Sequence, residues 1–181
     1  IGIDLNAPGD DINFGTAPFY TLNDAGDVDT GGNELQNFPV MTSATSNGVT
    51  TSIGGTLNSQ PTTSYQLEFY STSSPNALGY GEGESYLGTT TVVTDGAGDG
   101  SFLLDVPTAV ASGDYVTATA TNPAGSTSEF GSNLIVAPGP CPTVTTTADL
   151  GGGSLRNCID YANANPGTTI SFDIPDTDGN Y

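Results

Sequence analysis

A chain of 181 residues with 20 acidic side chains, a single basic one (Arg156) and no histidine carries a formal charge of −19. That balance excludes nucleic acid as a partner, because the phosphate backbone is met with Lys and Arg, and it repels anionic membrane surfaces. It favours cations, and it keeps a protein dissolved in crowded or saline surroundings.

Leu, Ile, Val and Phe make up about a fifth of the chain, close to the border of disorder. Patterning argues for a folded chain. The apolar residues alternate over many short runs, and the 25 Gly and 12 Pro fall mostly between those runs. No run approaches the ~20 apolar residues needed to cross a bilayer, so no membrane insertion is expected. The chain opens on Ile1 without a signal-like segment, which suggests a processed polypeptide or a piece of a longer one.

Three zones follow one another. Residues 1–37 are rich in Asp, Asn and Gly, with short apolar runs over 1–5 and 12–14. Residues 38–137 hold seven strand-like runs, over 38–44, 49–57, 64–71, 85–94, 101–106, 114–121 and 127–136. Turn chemistry separates them, including Asn47-Gly48, Ser59-Gln60-Pro61, Asp95-Gly96, Asp99-Gly100 and Asn122-Pro123. In the third run Tyr65, Leu67 and Phe69 share one face and Gln66 and Glu68 the other. Seven such runs over about 100 residues predict an immunoglobulin-like β-sandwich. Residues 138–181 begin with Pro138-Gly139-Pro140 and read as a strand over 142–147, a Gly151-Gly152-Gly153 break, a helix and a second strand over 168–174. Ser154 is a good N-cap; Leu155, Cys158, Ile159 and Ala162 follow at helical spacing, and Asn165-Pro166-Gly167 ends the helix. The fold class expected is all-β with one short helix.

Cys141 and Cys158 are the two cysteines. A chain without Lys and with Thr-rich strands looks exported, so a disulfide is expected, worth about 3 kcal/mol in a loop-closure estimate. Two buried free thiols are the alternative.

The C-terminal zone carries a resemblance. Val144-Thr145-Thr146-Thr147-Ala148-Asp149, Gly153-Ser154-Leu155-Arg156, Ala162-Asn163-Ala164-Asn165-Pro166-Gly167 and Thr169-Ile170-Ser171-Phe172 resemble the CSLREA-type opening of a right-handed parallel β-helix in bacterial surface proteins, where a short helix caps the first coil. Asn157-Cys158 departs from that pattern, which usually shows Glu or Gln followed by Ala, and the cysteine pair would serve as a local staple. Ile1-Gly2-Ile3-Asp4-Leu5, Asn23-Asp24-Ala25-Gly26-Asp27-Val28-Asp29-Thr30-Gly31 and Asn33-Glu34-Leu35-Gln36-Asn37-Phe38-Pro39-Val40 look like the last coil of such a β-helix running into a sandwich. Val116-Thr117-Ala118-Thr119-Ala120-Thr121 with Asn122-Pro123-Ala124-Gly125 and Thr127-Ser128-Glu129-Phe130 is similar to the sandwich modules of the same proteins. The resemblance implies partial β-helix segments flanking the sandwich, and an extracellular or cell-surface location.

Catalysis is limited by inventory. Without His or Lys there is no imidazole base, Schiff base or Ser-His-Asp triad. Only carboxylate chemistry remains; Glu82 and Glu84 are the candidates for a glycosidase-like pair, and solvated surface carboxylates are the plainer reading. Calcium is the cofactor expected, because hard cations take oxygens from Asp, Glu, Asn and carbonyls in Gly-containing loops. Asp24, Asp27, Asp29, Asn33 and Glu34 concentrate such oxygens, although the spacing is not that of an EF-hand and a solvated acidic turn is the alternative. Glu82, Glu84, Asp95 and Asp99 form a second set, and Asp176 and Asp178 a third. Tyr65, Tyr70, Tyr80, Tyr86 and Tyr115 suggest either a polysaccharide platform or cross-strand packing. The expectation is a non-catalytic structural module that self-associates head-to-tail, since a β-helix coil cannot bury its apolar face alone. A carbohydrate-binding adhesin module and a fragment of a carbohydrate-active enzyme are the rivals.

Overall fold

Period-two alternation produces the strands that carry the molecule. In the computed structural model, which describes residues 2–141 and 143–179, β3 (Ser64–Thr72) buries Tyr65, Leu67 and Phe69 and turns Gln66 to solvent. This is the face assignment that the alternation predicts. β3 pairs antiparallel with β4 (Ser85–Val93) on one side and β6 (Tyr115–Thr121) on the other, and β6 pairs with the short β7 (Leu134–Ile135). A second sheet has the order β5-β2-β1-β8, from β5 (Asp99–Val106), β2 (Thr51–Asn58), β1 (Val40–Ser46) and β8 (Ala137–Pro138), with β8 parallel to β1. The two sheets pack as a β-sandwich. Ile53 and Leu57 of the second sheet share one core with Tyr65, Leu67, Phe69, Val116, Ala118 and Ala120 of the first. Phe69 and Phe102 meet edge to face across it, with centroids 5.3 Å apart.

A β-bulge between Met41 and Ser43 interrupts the β1–β2 ladder. The bulge brings Val40 O so close to Gly55 that a Cβ there would lie 2.3 Å from it, so only glycine fits.

The strand expected over 127–136 is not continuous. Ser128 N and Gly131 N still donate to Ala120 O and Ala118 O, but regular pairing is confined to Leu134–Ile135. Between them the Glu129 side chain is drawn off to bind the N-terminal segment: Leu5 N donates to Oε1 and Thr21 N to Oε2, both at 2.7 Å. That segment contains no strand among its described residues; Ile1 lies outside them. It lies against the sandwich through Glu129 and through Tyr20, which stacks on Tyr80 at 4.1 Å. Ile12 and Phe14 stand exposed at the tip of its loop.

The C-terminal zone is a small β–α–β unit. β9 (Thr143–Val144) and β10 (Ser171–Phe172) pair in parallel, with α1 (Leu155–Ala164) between them in sequence. Ser154 Oγ accepts from Asn157 N at 3.2 Å, as the N-cap signal predicts. The expected strands over 142–147 and 168–174 shorten to two residues each, and Pro142 lies outside the described residues. Cys141 and Cys158 form a disulfide, packed with Val144, Tyr161, Ile170 and Ile174 in a second small core. Of the helical stripe only Cys158 is buried; Leu155 and Ile159 remain exposed because a two-stranded sheet is too narrow to cover them.

Candidate metal centre

The acidic loop of residues 23–29 is stitched to the edge of the sandwich by side-chain amides. Asn23 and Phe38 exchange two hydrogen bonds, Nδ2 to Phe38 O at 2.8 Å and Phe38 N to Oδ1 at 2.9 Å. Asn37 spans loop and sheet: its Oδ1 accepts from Asp24 N, and its Nδ2 donates to Asp24 O and to Asn58 O. Asn58 Oδ1 accepts from Gly26 N, and its Nδ2 reaches Asp99 Oδ1 at 2.7 Å. These contacts bring one oxygen each of Asp24, Asp27 and Asp29 within 4.8 Å of one another.

Asp27 is the buried member, 6% exposed. Its Oδ1 accepts from Asn37 N at 3.1 Å and its Oδ2 from the Ser59 hydroxyl at 2.5 Å. Ser59 is in contact with Tyr65 OH at 2.8 Å and accepts from Gln36 Nε2 at 2.9 Å, so the carboxylate is wired into the sandwich core. Burial pushes the Asp27 carboxyl above its usual range, against the pull of the Ser59 and Asn37 hydrogen bonds. Asp29 is raised too, first by burial and then by the charges of Asp24 and Asp27. Asp24 Oδ1 and Asp29 Oδ1 are buried and accept no hydrogen bond. A buried carboxylate oxygen without a donor is costly, and a cation is the group that would satisfy it.

Of the five ligands expected from the sequence, Asp24, Asp27 and Asp29 converge, while Glu34 turns away: its Oε2 accepts from Asn122 Nδ2 at 2.6 Å. Asn33 is exposed. The cause is local backbone. Asn33, Glu34 and Leu35 take φ values of 47°, 58° and 52°, a left-handed turn that reverses the chain before β1. Burial of Leu35 and the Glu34–Asn122 bond hold this unfavourable conformation. Sequence reasoning missed Ser59, Asn37 and Asn58, whose only signal was an unexplained concentration of amides and hydroxyls bracketing the first two strands.

The other acidic sets do not converge on a common centre among the described residues. Glu82 Oε1 accepts from Asn76 Nδ2 and Glu84 Oε2 from Thr72 Oγ1. Asp95 caps its own turn, accepting from Ala97 N and Asp99 N, which holds its carboxyl below the usual range. Asp178 accepts from Thr146 Oγ1, Thr147 N and Thr147 Oγ1. Of the five tyrosines, Tyr65 is buried in the core and Tyr80 stacks on Tyr20, while Tyr70, its cross-strand partner Tyr86 and Tyr115 lie on the outer face of the β4-β3-β6 sheet, where Tyr70 packs edge-on against Tyr86 and Phe130.

No protein-family model and no curated protein matches this chain. The site's own geometry therefore carries the functional argument. The donor set is hard oxygen, from three carboxylates on one loop, two of them with an unused buried oxygen, and that set fits calcium better than soft or nitrogen-seeking metals.

Proposed function

We propose that the chain is a non-catalytic structural module of a secreted or cell-surface protein, stabilised by calcium at Asp24, Asp27 and Asp29. The observation that carries the reading is the pair of buried, unpartnered oxygens on Asp24 and Asp29 beside the buried Asp27 carboxylate, in a chain with one basic residue. Three negative charges held together oppose folding through self-repulsion, and a divalent cation offsets it while tying the N-terminal segment to the sandwich. The disulfide supports an oxidising compartment. The strand order β5-β2-β1 against β4-β3-β6-β7 supports an immunoglobulin-like sandwich over residues 38–137. The parallel β9–β10 pair around a capping helix supports a β-helix start in residues 138–181, whereas the β-helix end expected over residues 1–37 has no strand among its described residues to support it. The sandwich and the β-helix start are features of the bacterial surface proteins that the sequence resembles.

The same reading includes head-to-tail self-association into a filament or matrix. Its support is the exposed apolar side chains at two separate places, Ile12 and Phe14 on the N-terminal segment and Leu155, Ile159 and Phe172 on the C-terminal unit. Thermal unfolding and light scattering with calcium and with chelator test the proposal together. Calcium should raise the melting temperature and Asp29→Ala should abolish the rise; identical curves in chelator and millimolar calcium would refute the metal centre. A monodisperse monomer at high concentration with calcium present would refute the assembly.

A further inference from the structure

Asn47-Gly48 is the single Asn-Gly pair of the chain, and it forms the tip of the β1–β2 hairpin, closed by Asn47 N donating to Thr50 O at 3.1 Å. Asn47 is exposed, yet its side chain is held in place: Oδ1 accepts from Val49 N and Thr50 N, both at 2.9 Å. The next amide along, Gly48 N, donates to the buried Ser46 hydroxyl at 3.3 Å.

The tip is also where the C-terminal unit rests on the sandwich. Gly139 N donates to Ser46 O at 2.6 Å and Asn157 Nδ2 to Asn47 O at 3.2 Å. The Gly48 backbone lies so close to the Gly151-Gly152-Gly153 turn that a Cβ on Gly48 would sit 2.1 Å from Gly152 N.

From this juxtaposition we infer that Asn47-Gly48 is a self-modification site whose isoaspartyl product releases the C-terminal unit from the sandwich. Gly48 N attacks Asn47 Cγ; the Gly48 N–Cγ bond forms, the Cγ–Nδ2 bond breaks, and ammonia leaves carrying the proton from Gly48 N. Glycine presents no side chain to hinder the approach. Val49 N and Thr50 N point at the oxygen on which charge develops during the attack, in the manner of an oxyanion hole. Water then opens the five-membered imide at one of its two carbonyls. Opening at Cγ yields an ordinary aspartate, which keeps the main-chain path and an oxygen in the Oδ1 position. Opening at the α-carbonyl yields isoaspartate, in which the main chain runs through the former side chain and gains a methylene between residues 47 and 48. The hairpin tip is clamped at Ser46 O, Asn47 O and Gly48 at once, and the lengthened chain cannot satisfy all three.

The test is ageing of the intact, oxidised chain in mildly alkaline buffer made with oxygen-18 water. Peptide mapping reads oxygen-18 at residue 47, isoaspartyl methyltransferase reads the product, and amide exchange reads protection at Gly139. Asn47 should convert before the other asparagines, and the isoaspartyl fraction should lose Gly139 protection while the Asn47→Asp variant keeps it. Asn47 remaining amidated over a period that converts the same site in the reduced, unfolded chain would overturn the inference. So would an isoaspartyl fraction with Gly139 still protected.

Discussion

The main-chain amide of Leu5 donates to Glu129 Oε1 at 2.7 Å, across 124 residues of sequence. The second oxygen accepts from Thr21 N at the same distance, and the glutamate is 1% exposed. One buried carboxylate therefore holds two separate stretches of the N-terminal segment on the sandwich. Glu129→Ala leaves two amides without an acceptor, a loss of about 2 kcal/mol or more after the relief of burying a charge. Urea unfolding should register the loss, and proteolysis should cut residues 5–21 first. Glu129→Gln, which retains one acceptor, should fall between the two.

Protons and calcium should substitute for one another. Burial raises the carboxyls of Asp27, Asp29 and Glu129 in the folded state above their unfolded values. In the interval between those values the folded chain binds more protons than the unfolded one, so metal-free stability falls as pH rises through it. The chelated protein is expected to melt higher within that interval than at neutral pH. Calcium should stabilise at neutral pH, by about 2.7 kcal/mol at a hundredfold excess over its dissociation constant, and progressively less on acidification. A chelated protein that gains stability steadily from mildly acid pH to neutrality would contradict this account.

Tyr65 reports on the metal centre. Its hydroxyl meets Ser59 Oγ, which donates to Asp27, and the chain has no tryptophan to compete as an energy donor. Terbium, a hard trivalent stand-in for calcium, should luminesce on tyrosine excitation, and calcium should quench that emission by displacement. Tyr65→Phe should dim it far more than Tyr86→Phe, since Tyr86 lies on the exposed face of β4. Equal dimming by the two variants would place the ion elsewhere.

Reduction of Cys141–Cys158 should unfold one core and spare the other. The disulfide lies in the small C-terminal cluster, separate from the sandwich core. The two cysteines are 17 positions apart in sequence, a loop whose opening costs about 3 kcal/mol. The helix amides of Leu155–Ala164 should lose exchange protection on reduction while Leu67 and Phe69 of β3 keep theirs. Intact mass before and after alkylation checks the bond itself.

Local chemistry was enough for the elements that depend on near neighbours. Alternation places Tyr65, Leu67 and Phe69 on one face, Ser154 starts the helix, and Asn47-Gly48 turns the chain between the first two strands, because each of these signals acts within a few residues along the chain. Asp99-Gly100, expected as a turn, instead opens β5, held in the ladder by Asn58 and Leu57 of β2. The seventh run loses its continuity to a contact with Leu5 that no local pattern contains. The acidic loop is legible as a concentration of oxygens, but only tertiary structure divides it. Long-range bonds from Asn37 and Ser59 draw Asp27 inward, and a left-handed turn at ordinary residues swings Glu34 toward Asn122. Composition counts carboxylates; which of them share one space is decided by backbone torsions and partners tens of residues away.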